Sequence, residues 1–149
     1  MTSHELMARV GSIIEEARTA VLATTDEEGR PHVRWMTPAV LPGRPNAVYA
    51  VTSRRFAKVA QLAAQPRVEW MFQTRALDTI VTLRGTVNVL DTPSIRSEVF
   101  ESVARRLTAF WKANDDERDL LVLETVVEEG IHYRSMAGTR ETVRFGGSR

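Results

Sequence analysis

No cysteine occurs in this chain of 149 residues. Disulfides, thiol nucleophiles, iron–sulfur clusters and cysteine-ligated zinc are thereby excluded. Histidine is scarce as well. His4, His32 and His132 are too scattered for a histidine cluster, so no metal site is expected. No apolar run approaches the roughly 18 residues of a membrane helix. The opening stretch MTSHELMARV lacks the apolar segment of a secretory signal. A cytoplasmic protein without membrane contact is the expectation. Charge of one sign is lacking too: 20 basic and 19 acidic residues leave a net +1. A nucleic-acid binder that lives on phosphate contacts needs a clear positive excess. Phosphate loops of the G-x-G-x-x-G or G-x-x-x-x-G-K type are missing, and so is a G-x-S-x-G nucleophile elbow. Lysine is nearly absent, since Lys58 and Lys112 are the only two.

What is present is ordinary for a folded protein: 43% hydrophobic and 26% charged residues. At about 150 residues per domain, one domain over 1–149 is expected. It would have an N-terminal helix over about 1–18 and a tail over about 140–149.

The local patterns define most elements. Thr2 and Glu5 have capping-box spacing, and Leu6, Val10, Ile13, Ile14 and Ala17 share one helical face. Residues 20–25 read as a strand closed by Asp26-Glu27-Glu28-Gly29, a turn with glycine where positive φ is needed. Residues 31–37 read as the second strand of that hairpin. His32, Arg34 and Met36 lie on one face, and Val33, Trp35 and Thr37 on the other. Residues 38–45, with three prolines and a glycine, read as a loop. A strand follows over 47–52, then a helix capped by Ser53 that shows Phe56, Val59, Ala60 and Ala63 on one face and ends before Pro66. Residues 68–72 form a strand, and 79–90 a long alternating one in which Gly85 marks a bulge or a bend. Thr92-Pro93 opens a third helix carrying Ile95, Val99, Val103 and Leu107 at four-residue intervals. Residues 114–119 read as a polar loop, 120–127 as a buried or interfacial strand, and 130–134 as a last short strand. Hairpin-linked strands with few helices predict a mainly β, α+β fold built on an antiparallel barrel.

Chemistry concentrates between Arg34 and Lys58. Arg34 sits within a strand. Thr52 and Ser53 stand where a strand runs into a helix, and Lys58 lies in that helix. If the two strands are neighbours, two cations and two hydroxyls converge on one anion, a reasonable phosphate site. Trp35 and Met36 would border a planar ring. The alternative is a solvated arginine, a solvated lysine and a core tryptophan. Acidic pairs such as Glu15-Glu16 read as solvated surface.

The stretch 20–72 resembles the pyridoxamine 5′-phosphate oxidase-like, FMN-binding split β-barrel superfamily. A-x-L-A-T leads into D-x-x-G-R-P-H and an arginine-bearing strand. Thr52 and Lys58 have the family's six-residue separation, and Gln-Pro-Arg-Val stands where N-P-R-V is usual. The strand Val81-Thr82-Leu83-Arg84-Gly85-Thr86-Val87 followed by Asp91 is similar to the family's long central strand. Length and Phe110-Trp111 look most like its general stress protein 26 group. The implied fold is an antiparallel split β-barrel with Greek-key character and three flanking helices.

The resemblance also implies a homodimer with FMN at the subunit interface. Arg34 would meet the phosphate, and Trp35, Met36 and Thr37 the ring edge. Val51 and Thr52 would contact the cofactor by backbone and hydroxyl, and Lys58 would bind the phosphate. The family often has serine or arginine just before that lysine, where Phe56-Ala57 stand here; Ser53, Arg54 or Arg55 would have to compensate. Gln73 would reach the ring from the partner. Trp111 would cover the site from the other chain or serve as a core or interface aromatic.

The expected function is that of a flavin-dependent oxidoreductase acting on an unknown small molecule, with no acid–base residue assigned. A flavin store or sensor, or a deazaflavin-dependent reductase, are the alternatives. Relatives also bind haem, whose ligation would fall to His32 or His132. Pyridoxamine phosphate oxidation itself is not expected, because 139–149 lack that enzyme's arginine-containing signature. The apolar runs over 120–127 and 81–89 are a second reason to expect a dimer.

Overall fold

The computed structural model describes residues 1–103 and 120–146. Helix α1 (Ser3–Ala17) starts at a complete capping box. Thr2 Oγ1 accepts from the Glu5 amide, and Glu5 Oε1 accepts from the Thr2 amide. Its buried face is Leu6, Val10, Ile13 and Ile14, as the spacing requires. Strands β1 (Ala20–Thr25) and β2 (Pro31–Met36) form the expected hairpin. Asp26 Oδ1 accepts from the Glu28 and Arg30 amides, and Gly29 takes φ 84°.

The remaining elements are β3 (Ala39–Leu41), β4 (Arg44–Ser53), α2 (Ala57–Ala64), β5 (Arg67–Gln73), β6 (Thr79–Leu90), α3 (Pro93–Val103), β7 (Leu120–Arg134) and β8 (Thr139–Arg144). All pairings are antiparallel, in the order β2-β1-β5-β6-β7-β4-β3, with β8 also on β7. The two edge strands, β2 and β3, are joined by Thr37 and Pro38 alone. Three Cα–Cα steps span at most about 11 Å. Six inter-strand gaps in a flat sheet would span about 29 Å. The sheet therefore curls into a half-barrel that brings its edges together.

Strand β7 is the spine. One edge carries β6; the other carries β4 over its first half and β8 over its second. The predicted bulge is real, because the β6–β7 register shifts between Arg84 and Gly85. A Cβ at Gly85 would lie 2.2 Å from the Val126 carbonyl oxygen, so only glycine fits. Inside the curl, α1 covers a core that includes Leu22, Val48, Ala50, Trp70, Phe72 and Leu83. On the other face, Ile95, Val99 and Val103 of α3 pack on Tyr49, Val51 and Val122.

Several expectations need correction. Residues 38–45 are not a loop: they include β3 and the start of β4. Pro45 precedes the pairing of β4 with β7, which begins at Ala47, so its missing N–H breaks no central ladder. The second strand stops at Met36. Ser53 ends β4 and does not cap α2. Its Oγ accepts from the Arg55 amide, while Phe56 occupies the N-cap without a side-chain hydrogen bond. The buried residue of α2 is Leu62, and Phe56 is exposed, so the helix is rotated from the expected face. Residues 120–134 are one continuous strand, and 139–144 are a strand with Val143 buried, not a tail. The apolar run over 120–127 is largely internal core. Leu107, the 114–119 loop and Trp111 lie outside the described residues.

His132 of β7 faces inward, buried, with no partner for Nε2 among the described residues. Burial lowers its pKa below the ordinary 6.5, and Arg9 of α1 and Arg134 push it further down against Glu141 of β8. The folded chain thus binds this proton less readily than the unfolded one. Stability is lost as pH falls from about 6.5 through the folded value, at up to ~1.4 kcal/mol per pH unit. Urea denaturation between pH 5 and 7 should show that slope in the native chain and a flatter one in His132→Leu.

Candidate functional site

Arg34 and Lys58 are brought together by the packing of α2 over β1. Arg34 Nη2 donates to Thr24 Oγ1 at 2.8 Å, and Thr24 Oγ1 in turn lies 3.3 Å from Gln61 Oε1 of α2. Lys58, one turn before Gln61, then stands close enough for the Arg34 charge to act on it. Burial and, after it, the Arg34 charge push the Lys58 pKa down to about 8. Burial lowers that of Arg34 as well. No acidic side chain among the described residues pairs with either. Among the described residues, buried Arg34 Nη1 has no hydrogen-bond partner, and neither has buried Thr52 Oγ1. Thr52 shares the face of β4 that carries Val48 and Ala50 into the main core.

Two half-buried cations without a counter-ion among the described residues are costly, because each has lost water and Arg34 has gained only the Thr24 hydroxyl in return. An incoming dianion would supply both. The donor set at Arg34 and Lys58, an unpaired guanidinium nitrogen and an ammonium, fits a phosphate monoester.

The other expected residues divide by strand alternation. Trp35 is 80% exposed and points away from Arg34, as does Val33 at 70%. Trp35 lines a groove of about 210 Å³ together with Val21, Met71 and Gln73. Met36 packs against the main core, and Thr37 lies half-buried in the link to β3. Val51 packs under α3, on the opposite face of β4 from Thr52. Ser53 is buried and holds the turn after β4, so it joins neither group. His32 is tied to Asp26, with Nε2 at 2.8 Å from Oδ2. Arg54 pairs with Asp91.

Sequence reasoning missed Thr24 and Gln61. Thr24 had a signal: it is a polar residue at the third inward position of β1, after Ala20 and Leu22. Gln61 had none, because its role depends on where α2 docks. A second groove, of about 530 Å³, runs over β1, β5 and β6. There Arg84 is already paired with Glu69 and Glu129, and Glu128 accepts from Thr86, so its charges largely satisfy each other.

A curled antiparallel half-barrel with three helices among the described residues, and a cation pair at its short second helix, is a split β-barrel protein. The family model for pyridoxamine 5′-phosphate oxidase matches residues 6–133, and the chain belongs to that family. No curated protein matches it. Among solved structures, it is similar to a protein related to general stress protein 26 of B. subtilis, from Clostridium acetobutylicum. Identity is 16% over 95% of each chain, with a TM-score of 0.75. A pyridoxamine 5′-phosphate oxidase-related, FMN-binding protein from Nostoc punctiforme is 14% identical over 93% of this chain and 87% of its own, with a TM-score of 0.67. An F420 reductase is 17% identical over 80% of this chain and 93% of its own, with a TM-score of 0.66. At these identities the likeness is one of fold. No helix among the described residues is long and apolar enough to cross a membrane.

Proposed function

We propose that this chain binds flavin mononucleotide and serves as an oxidoreductase for a small molecule. The observation that carries the reading is the Arg34–Lys58 pair: two neighbouring, partly buried cations, with Arg34 Nη1 unpartnered and no carboxylate paired to either among the described residues. Arg34 Nη1 and the Lys58 ammonium would hold the phosphate, with Thr52 Oγ1 as a further donor. Backbone groups of Trp35, Met36, Thr37 and Val51 would border the ring. When bound, the flavin supplies a ring that accepts and passes on a hydride or electrons. The chain's own part is to bind and orient it; no side chain is assigned as acid or base.

We further propose a homodimer joined through the outward face of β2. Val33 and Trp35 expose more apolar surface than a lone sheet face normally leaves in water. Gln73 and Trp35 of one copy would then approach the flavin of the other. Light scattering should give twice the 16.8 kDa chain mass, and Trp35→Asp should give a monomer. A monomeric native chain at micromolar concentration refutes the arrangement.

The direct test is the absorption spectrum after incubation with FMN and desalting. A retained flavin spectrum supports the reading, and a colourless protein overturns it. The same experiment with a deazaflavin tests the alternative cofactor, which the fold likeness to an F420 reductase brings into question. Oxidation of reduced nicotinamide with an added acceptor then separates an enzyme from a flavin store.

A further inference from the structure

We propose that Phe56 is the positioning residue of the two-cation site: its ring parks the Lys58 ammonium beside Arg34 and leaves the ammonium's charge free for a phosphate monoester. The inference rests on the phosphate reading above and adds to it a residue that makes no contact with the phosphate.

Phe56 is out of place by every local rule. It occupies the N-cap of α2, where serine, threonine, aspartate or asparagine would satisfy a free amide, and it makes no side-chain cap bond. The core does not explain it either, because the side chain is 43% exposed and absent from both core clusters. Residues that break local preference without a packing gain tend to mark function. What the ring touches is Lys58, whose Nζ lies 4.2 Å from the ring centroid.

That contact answers a physical problem. A lysine beside an arginine, both short of water, is repelled toward solvent, where its long side chain has many rotamers. Something must hold it. A carboxylate would hold it but would cancel the charge and occupy its N–H donors. An aromatic face attracts the ammonium through its quadrupole and takes up one side only. The other donors stay open. A serine or arginine in the preceding position would touch the anion itself; phenylalanine acts through the lysine.

The chain has only two lysines, Lys58 and Lys112. Labelling lysine at Cε therefore yields two resonances, and Lys58→Met assigns them. In the native, ligand-free protein the Lys58 ε-methylene protons should be displaced upfield by the ring. In Phe56→Leu that displacement should vanish and the Lys58 titration midpoint should drop by about 0.5 pH unit. FMN affinity at pH 7 should fall about 3- to 10-fold. Phe56→Trp should restore the displacement, the midpoint and the affinity. Because Phe56 is exposed, circular dichroism melts should show all three chains folded.

An undisplaced methylene in the native chain, or a midpoint and affinity unchanged in Phe56→Leu, overturns the role of Phe56. Equal loss in the leucine and tryptophan variants also overturns it, since the aromatic face is then irrelevant. A ring-dependent Lys58 signal in a native chain that binds no FMN overturns the phosphate reading instead.

Discussion

If the chain binds FMN as proposed, replacing Arg34 and Lys58 together by alanine should abolish FMN retention, with affinity falling about 10³-fold and each single replacement costing about 10- to 100-fold. A hydrogen bond to a charged group contributes ~1.5–3 kcal/mol, and one decade of affinity corresponds to ~1.4 kcal/mol. The two side chains share one anion, so their effects are coupled and the double variant need not equal the sum. Fluorescence titration with FMN measures all three. Affinities within threefold of the native chain would place the phosphate elsewhere.

The pair also predicts an opposite effect on stability. Folded Lys58 titrates near 8 against 10.5 in a solvated chain. Below about pH 8 both states carry the proton, and the folded state bears an unpaired, partly desolvated charge. Between about 8 and 10.5 only the unfolded state keeps it, so ligand-free stability rises with pH over that window. Lys58→Met should therefore melt at a higher temperature than the native chain at pH 7, lose the alkaline rise, and fail to bind FMN. In the native chain FMN affinity should decline above pH 8, by at most about tenfold per pH unit, as the ammonium is lost. Stability surrendered at a site for the sake of binding is the signature sought. A destabilised Lys58→Met would count against the site.

Trp70→Ala should be the most damaging single core change. Trp70 is fully buried, stacks on Phe72 with centroids 5.7 Å apart, and donates Nε1–H to Thr125 Oγ1 at 2.9 Å. It stands in register with Leu22 of β1 and Leu83 of β6, at the centre of the curl. Truncating a buried tryptophan costs ~3–5 kcal/mol through lost transfer energy and the cavity left behind. Here Thr125, itself wholly buried, also loses its donor. Against a total of ~5–15 kcal/mol that is between about a fifth and the whole of the stability. Trp70→Phe keeps most of the packing and should cost less than half as much. Urea denaturation separates the two, and a loss below ~1.5 kcal/mol in Trp70→Ala would mean that the core collapses around the gap.

Much of the architecture was legible because it is written in nearest neighbours. The capping box of α1, the Asp26–Gly29 turn, the alternation of β6 and the Pro93 start of α3 each depend on contacts a few residues apart. The bulge was legible for the same reason, since a glycine interrupting an alternating strand has few other uses. The errors fall where a distant partner decides. Residues 39–41 and 139–144 have no strong strand pattern of their own; β4 and β7 make them strands by offering an edge. The face of α2 was misread because Phe56 looked like core and is held instead by Lys58.

The candidate site divides in the same way. Sequence alone determined that a cation-bearing strand and a cation-bearing helix exist, and that Arg34 shares one side of its strand with His32 and Met36, because strand alternation is a local rule. Only the tertiary structure decided that α2 docks over β1, so that Arg34, Thr24, Gln61 and Lys58 meet, and that among the described residues no carboxylate comes with them. It also decided that Trp35 and Gln73 share a groove on the opposite face of the sheet. The physical reason is that charge, capping and periodicity act over one or two turns of chain, whereas which side chains share a site depends on how the sheet curls. That curl is imposed by the two residues joining its edges, together with the burial of Trp70 and its neighbours within it.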